Sequence, residues 1–599
     1  MKKITAIVLI LYAASALSAQ TEKKIVILHT NDVHSSLIGY APESAYTPLT
    51  TNDDKTVGGF ARIASILKSE KEKNGGITLT VDAGDFLMGT LFQQLESETG
   101  FQLWLMKMMG YDIVCIGNHE FDYGSQKLAD IISSAEKRDG LPPVLLSNAV
   151  FDENDPGDDA LEKLFDSGAM KRTFILERGG LRFGFFSLMG VEADDNAAYA
   201  PPVTFSKQIP AARKYVKQLK DEKCDLIICL SHSGISVDKK TGGWTGEDVG
   251  LAEKVKGINV IISGHSHTRL DNPVIVNGIP IVQAAVNGQW VGRLSLTYNN
   301  GIVAVDNYSL IPVNDMINGD PVVDRLIGDQ RKMITEEILE PLGMDYERKV
   351  AESDFLLECN EQGDIKGSNL GPLVADAIHS YINRHDRTGT DVSMVAVGVI
   401  RDRIVPGFQT AADIFKIMSM GTGGDNVPGY PLSKLYVTGR EFKNILEVLQ
   451  VIYQSTPGNY IYYSGIKVKY DPDKGLLKKI KKISITRTDG TDEEVDFSKK
   501  NKALYSVTAN SYILEYIGII KKKSYGLINV VPKDASGIPI KDLKNAIIDL
   551  DDRRDGIQEG KEWIAIMEYL QSMKDTNGNG IPDIDNRYRE AIQSFFTVE

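Results

Sequence analysis

Short apolar runs recur along the first half of the chain, each closed by glycine or polar residues. IVILHT, TLTVDAG, DIVCIGN, RFGFFSLMG and LIICLSH read as buried strands, because runs of this length between turn residues suit a sheet covered on both faces. Between them lie stretches with helical spacing: FARIASILKSEKEK, FQLWLMKMMG, QKLADIISSAEK, IPAARKYVKQLKDEK and VGLAEKVK. Strand and helix alternate in this way from Lys24 to about Pro312, which predicts βαβ units and layered α/β packing over 24–312. IPIVQAAV and VGRLSLTYN follow without a helix between them and read as meander strands, so a mixed sheet is expected.

The pattern then changes. Asp320 to Gly343 is charged and helical in period and ends at Pro341 and Gly343, so 313–343 reads as a connector helix. From 344 to 533 an α+β pattern follows. It opens with SNLGPLVADAIHSYIN and continues through SMVAVGV, LSKLYVTG, GIKVKYDP, IKKISITRTDG and KALYSVTAN. Residues 534–599 read as a tail, with a helix expected in IQEGKEWIAIMEYLQSMK. A chain of 599 residues is too long for one ordinary core, which agrees with this division.

Charge and the two ends narrow the class. A net charge of −14 argues against a nucleic-acid-binding surface. Lys2 and Lys3, the apolar Ile4–Leu11 and the small residues Ala16 to Ala19 spell a signal peptide over 1–19, too short to span a membrane. No later stretch is long and apolar enough to cross one, so an exported protein, periplasmic or secreted, is expected. Cys115, Cys224, Cys229 and Cys359 read as small buried residues rather than ligands or a disulfide framework.

The chemistry sits where the strands end. Asp32 and His34, Asp85, Asn118 and His119, His232, and His265 and His267 each follow an apolar run. Ligands of open α/β sheets bind at the carboxyl ends of strands, which places these groups on one edge of one sheet. In an extended segment, residues two apart point the same way, so Asp32 and His34 reach one ion together. Asp32, His34, Asp85, Asn118, His232, His265 and His267 are seven candidate ligands, enough for two ions if Asp85 is shared. Mixed nitrogen and oxygen donors suit Zn, Mn, Fe or Co better than Ca. A lone D-x-H or H-x-H means little; joint placement at successive strand ends carries the reading. His29, inside its strand, reads as a packing or supporting residue, and His379 and His385 in the second half read as solvated or packed.

The blocks Asp32-Val33-His34, Gly84-Asp85, Gly117-Asn118-His119-Glu120, His232 and Gly264-His265-Ser266-His267 resemble the calcineurin-like metallophosphoesterases. LHTNDVH, GGFARI, DAGDFLMGT and IGNHEFDYG are similar to the secreted 5′-nucleotidase and UDP-sugar hydrolase branch. The resemblance implies an α/β fold class: a layered α/β/β/α N-terminal domain, a connector helix and an α+β nucleotidase-like domain. It implies two divalent transition metal ions, with His119 beside them as the acid/base and Asp122 orienting it. The implied reaction is phosphate release from nucleoside monophosphates by metal-activated hydroxide. A phosphodiesterase or nucleotide-sugar pyrophosphatase is the alternative; a non-enzymatic nucleotide binder is disfavoured because every catalytic position is filled.

In the second domain the resemblance thins. It places Arg401 on the phosphate and Tyr460 and Tyr512 around the base, although both tyrosines read equally well as core aromatics. An expected Asn is Val397, the P-F-G-N stretch is replaced by residues 419–425, and the stretch after the second aromatic is replaced by Glu515 to Ile519. In the tail, Asp575, Asn577, Asn579 and Asp583 surround a Gly turn, as in an abbreviated calcium loop; a plain Asn/Gly turn accounts for them equally.

Overall fold

The computed structural model describes residues 22–359, 368–455, 460–475, 478–514, 530–551, 553–590 and 596–598. The expected signal peptide and Glu515 to Ile519 lie outside the described residues. The chain forms two compact units.

The first unit comprises residues up to His34, Gly58–Phe86 and Glu96–Val323. Its strands are β1 (Lys23–Thr30), β2 (Ile77–Asp82), β3 (Ile113–Cys115), β4 (Val144–Leu145), β5 (Met170–Lys171), β6 (Thr173–Arg178), β7 (Leu181–Met189), β8 (Leu226–His232), β9 (Val260–Ser263), β10 (Val274–Val276), β11 (Ile279–Val282), β12 (Trp290–Asn299) and β13 (Ile302–Pro312). They form two sheets, in the orders β13-β12-β1-β2-β3-β4-β5 and β10-β11-β9-β8-β7-β6. The run pattern alone points to one mixed sheet; there are two, as the layered α/β/β/α arrangement implied by the resemblance requires. The meander strands are shared out: Ile279–Val282 joins the second sheet, and Trp290–Asn299 returns to pair antiparallel with β1. Apolar runs report burial and not sheet membership, so the sequence cannot separate the two.

Side-chain parity holds the layers together. Ile25, Ile27, Leu79, Val81 and Cys115 of the first sheet meet Phe183, Phe185, Leu226, Ile228, Leu230, Val260 and Ile262 of the second in one core. The alternate residues Phe186, Leu188, Ile227, Cys229 and Ile261 face outward into a second cluster. There they meet Ala212, Tyr215, Val216 and Leu219 of α4 (Gln208–Asp221) and Leu251 and Ala252 of α5 (Glu247–Lys254). Each such side chain contributes roughly 1.5–3 kcal/mol on leaving water. Helices α1 (Phe60–Asn74), α2 (Phe101–Met108) and α3 (Gly124–Lys137) belong to the same unit.

The second unit holds Ser35–Val57, Leu87–Leu95 and Asp324–Glu599. Polar contacts tie its two early segments in: Tyr40 Oη donates to the Arg403 carbonyl at 3.0 Å, and Gln93 Nε2 to the Ser419 carbonyl at 2.8 Å. Helix α6 (Pro321–Ile334) runs on through Thr335–Leu339 and Glu340–Leu342 to Gly343, whose φ of +71 ends it. A four-stranded sheet is built from Leu432–Thr438, Leu504–Asn510, Val392–Ala396 and Ile461–Ser464, in that spatial order. The tail belongs to this unit. Its helix Glu562–Gln571 packs on Leu370–His385, and Lys561 and Ile547 bridge to Pro431 and Ser433.

Candidate metal centre

The residues at the strand ends gather into two groups of donors. Asp32, His34 and His267 form one, and Asp85, His232 and His265 the other; within each, the donor atoms lie within 4.8 Å of one another. The first sheet supplies Asp32 and Asp85, and the second supplies His232, His265 and His267. The centre therefore lies where two stacked sheets end together, not along one edge. Asn118 joins the second group: its Oδ1 is 3.2 Å from His232 Nε2 and 2.9 Å from His265 Nδ1. His265 and His267 serve different groups although they are two residues apart.

Backbone conformation aims these side chains. Asp32, His34, Asp85, His265 and His267 have φ values of 49, 48, 56, 70 and 53. The extended-segment expectation for Asp32 and His34 is thus corrected, since both lie past the end of β1 with left-handed backbone. Left-handed backbone costs on the order of 1 kcal/mol for each non-glycine residue, and here it turns successive side chains to one spot. His232 needs no such device: it continues the inward series Leu226, Ile228, Leu230. Its Nδ1 lies 2.9 Å from the Ala83 carbonyl, which fixes the tautomer and presents Nε2, 3.0 Å from Asp85 Oδ2.

The donor set fits a borderline divalent metal. Four imidazoles, two carboxylates and one amide oxygen crowd together, and the Nε2 atoms of His34 and His267 face each other at 3.0 Å. Such contacts between lone pairs require a shared proton or a cation. Without metal, protons carry this role. Burial opposes charge on His232, but Asp85 and Asp32 outweigh it and push the ring up to about 10. Burial raises Asp32 to about 7, with Asp85 adding and His232 opposing. Burial also acts upward on Asp85, yet His232, His119 and His34 hold it well below the usual carboxylate range. Metal uptake at such a site displaces protons.

His119 lies beside the groups and belongs to neither. Its Nδ1 is 2.9 Å from Asp122 Oδ2, and its ring meets that of His34 edge-on at 5.4 Å between centroids. The His119 backbone N–H donates to Asp85 Oδ1 at 2.9 Å, so one short turn positions both residues.

Two supporting residues carry no role in the sequence reading. Asn31 Nδ2 donates to Asp32 Oδ2 at 2.6 Å and to the Ala285 carbonyl at 2.7 Å. Glu120 Oε2 accepts from the backbone N–H of Asp85 at 3.0 Å and of Gly117 at 2.6 Å. Their only signal was a buried polar residue next to a ligand block. His29 is buried and stacked on Tyr308, and burial lowers it to about 3.

The residues expected to bind substrate lie in the second unit. Arg401 is half-buried, its backbone N–H donating to the Ile417 carbonyl. Tyr460 is buried and meets Tyr453 and Tyr462 edge-on, while Tyr512 stacks on Tyr430. In the tail loop, Asp575 accepts from the N–H groups of Gly578 and Gly580, and Asp583 from those of Thr576 and Asn577. Glu352 Oε2 reaches the loop from another strand, accepting from Asn577 at 3.2 Å and Asn579 at 2.6 Å.

Two stacked sheets sandwiched by helices, with His, Asp and Asn donors paired at their shared end, define a metallophosphoesterase. The calcineurin-like phosphoesterase family matches residues 25–269, and the 5′-nucleotidase C-terminal domain matches residues 349–518. The chain belongs to the 5′-nucleotidase family of calcineurin-like metallophosphoesterases, metal-dependent phosphoester hydrolases. Protein UshA of Escherichia coli is 27% identical over 512 residues, covering 79% of this chain and 84% of that protein. The trifunctional nucleotide phosphoesterase protein YfkN of Bacillus subtilis is 26% identical over 520 residues. That match takes in 82% of this chain but only 32% of the longer protein. The structure of a 5′-nucleotidase precursor from Thermus thermophilus shares the fold, with a TM-score of 0.67 at 21% identity over 96% of this chain and 99% of that one.

Proposed function

We propose that the chain is an exported 5′-nucleotidase that releases phosphate from nucleoside monophosphates. The observation that carries this reading is the pair of adjoining donor groups with His119–Asp122 beside them. Asp32, His34 and His267 would hold one ion and Asn118, His232 and His265 the other, with Asp85 as the shared carboxylate. Zn, Mn, Fe or Co suits these donors. When bound, two such ions clamp a phosphoryl group and supply a nucleophile near neutral pH.

The chain's own residues do the rest. Asp122 holds His119 by Nδ1, leaving Nε2 to give a proton to the departing ester oxygen. Arg401 is assigned to the substrate phosphate and Tyr460 and Tyr512 to the base. Export rests on the Lys2–Ala19 pattern; among the described residues no helix is long and apolar enough to cross a membrane. In the tail, Asp575, Asn577, Asn579 and Asp583 are read as a calcium loop, supported by Glu352 reaching it from a separate strand. Calcium then raises the melting temperature, and a plain turn gives no shift.

The test is a phosphate-release screen over AMP, other nucleotides, UDP-glucose and a simple diester, with Mn, Zn and Co supplied in turn. Metal-dependent release from AMP is expected. Val397 and residues 419–425, which depart from the nucleotidase pattern, favour one second reading: a phosphodiesterase or nucleotide-sugar pyrophosphatase. Turnover of UDP-glucose or the diester without AMP hydrolysis establishes that reading instead. Nucleotide binding without turnover under any metal overturns both.

A further inference from the structure

Strands β8 and β9 run parallel and end in register, with Ser231 opposite Ser263. The parity that sends His232 inward sends Ser231 and Ser263 to the outer face, under α5. In the first turn of α5, Asp248 is fully buried between them. Ser231 Oγ donates to its Oδ1 at 2.5 Å, and Ser263 Oγ to its Oδ2 at 2.6 Å. The next residue on β8 is His232; Ser263 ends β9 and is followed by Gly264 and His265.

The contact extends into the following turn. Gln283 is fully buried, and its Oε1 lies 3.4 Å from Ser263 Oγ and 3.0 Å from the Oγ of Ser266, which separates His265 from His267. A buried carboxylate is costly unless its oxygens are satisfied. The carboxylate adds a rigid bridge of fixed span across two strand ends, and both ends present imidazoles to the centre.

We propose that Asp248 is a positioning residue of the metal centre: by bridging Ser231 and Ser263 it sets the separation of the strand ends that carry His232 and His265. Asp248 itself belongs to neither donor group. The inference rests on the two-ion reading of the centre. Loss of a residue that orients metal ligands typically costs 10–100-fold in metal affinity or activity.

The test is a cobalt titration of the metal-stripped full chain, followed by visible absorbance, alongside kcat and KM for a simple phosphate ester and the melting temperature. Wild type is expected to saturate at two equivalents. Asp248→Ala is expected to bind cobalt about 10–100-fold more weakly with an altered spectrum, and to lose kcat more than it raises KM. Asp248→Asn, which keeps the shape and one acceptor oxygen, should fall between them. Adding Ser263→Ala to Asp248→Ala should weaken cobalt no further, because both remove the same bridge. Wild-type affinity and spectrum in folded Asp248→Ala, or fully additive losses, overturn the role of Asp248 alone. If Asp248→Ala does not fold, Ser263→Ala decides: weaker cobalt binding supports the bridge, and unchanged binding overturns it. A wild type that takes up no cobalt overturns the two-ion reading and this proposal with it.

Discussion

Gly117 precedes Asn118 in the third ligand block, and the structure says what an added methyl group would meet there. A Cβ at Gly117 would stand 2.3 Å from Asp85 Oδ1, 2.7 Å from the Asp85 nitrogen and 2.7 Å from His232 Cε1. Gly264 is similar, with the Ala83 carbonyl at 2.8 Å and His232 Nδ1 at 2.9 Å. None of these neighbours is the free end of a flexible chain. In Gly117→Ala, Asp85 or the backbone must give way by about 1 Å, and overpacking of this kind costs about 1–3 kcal/mol. A misplacement of about 1 Å at a reacting centre costs on the order of 100-fold in rate. Gly117→Ala is therefore expected to lower kcat/KM for phosphate release by about two orders of magnitude and to lower the melting temperature by several degrees. Gly328→Ala is the control. It lies in α6, and beyond the helix's own backbone a Cβ there would meet nothing nearer than the Arg331 guanidinium at 4.0 Å, so Gly328→Ala should keep full activity and gain up to about 1 kcal/mol. The assay is initial phosphate release at saturating metal, with thermal unfolding of both variants. Activity of Gly117→Ala within threefold of wild type would refute the argument that the glycine is there to admit Asp85 and His232.

Three further outcomes follow from named contacts. His119→Ala should keep both metals by elemental analysis and lose about 10²–10⁴-fold in kcat, with Asp122→Asn losing at least tenfold; a His119→Ala protein stripped of metal contradicts the assignment. Asp85→Asn should lose metal and activity together, and two ions at full occupancy in that variant would show that Asp85 is not shared. Glu96 is buried, and burial raises it to about 8 from an ordinary 4.5 although it accepts from the Gln102 backbone N–H. Its folded value lies above its unfolded one, so its contribution is complete below about pH 4.5 and is lost as pH climbs toward 8, at up to about 1.4 kcal/mol per unit. The melting temperature of Glu96→Gln should fall less between pH 5 and 8 than that of wild type; equal slopes rule this out.

What the sequence made legible follows from what periodicity records. Burial on two faces leaves an apolar run, so β1, β2, β7 and β8 and the helices between them could be placed from spacing alone. The same runs pointed to the donor groups, because histidines and aspartates past several successive buried strands have few bland explanations together. Sheet membership left no trace, since Leu230 and Val81 look alike in sequence although they stand in facing sheets. Nor did the assignment of 35–57 and 87–95 to the second unit, which rests on contacts such as Tyr40 with Arg403 and Gln93 with Ser419. Such contacts between polar groups far apart in sequence have no period. The D-x-H spacing of Asp32 and His34 suggested a pleated strand, yet both residues have left-handed backbone, as do His265 and His267. That difference bears on stability. Five left-handed donor residues together cost on the order of 5 kcal/mol, and the centre also crowds imidazoles and carboxylates that protons must hold together. A bound cation removes the second cost and is linked to the folded state alone, so metal should raise the melting temperature as well as switch on hydrolysis. Strand-end histidines of this kind are then sites where folding energy has been set aside for chemistry, and the left-handed backbone, more than the spacing, is what aims them.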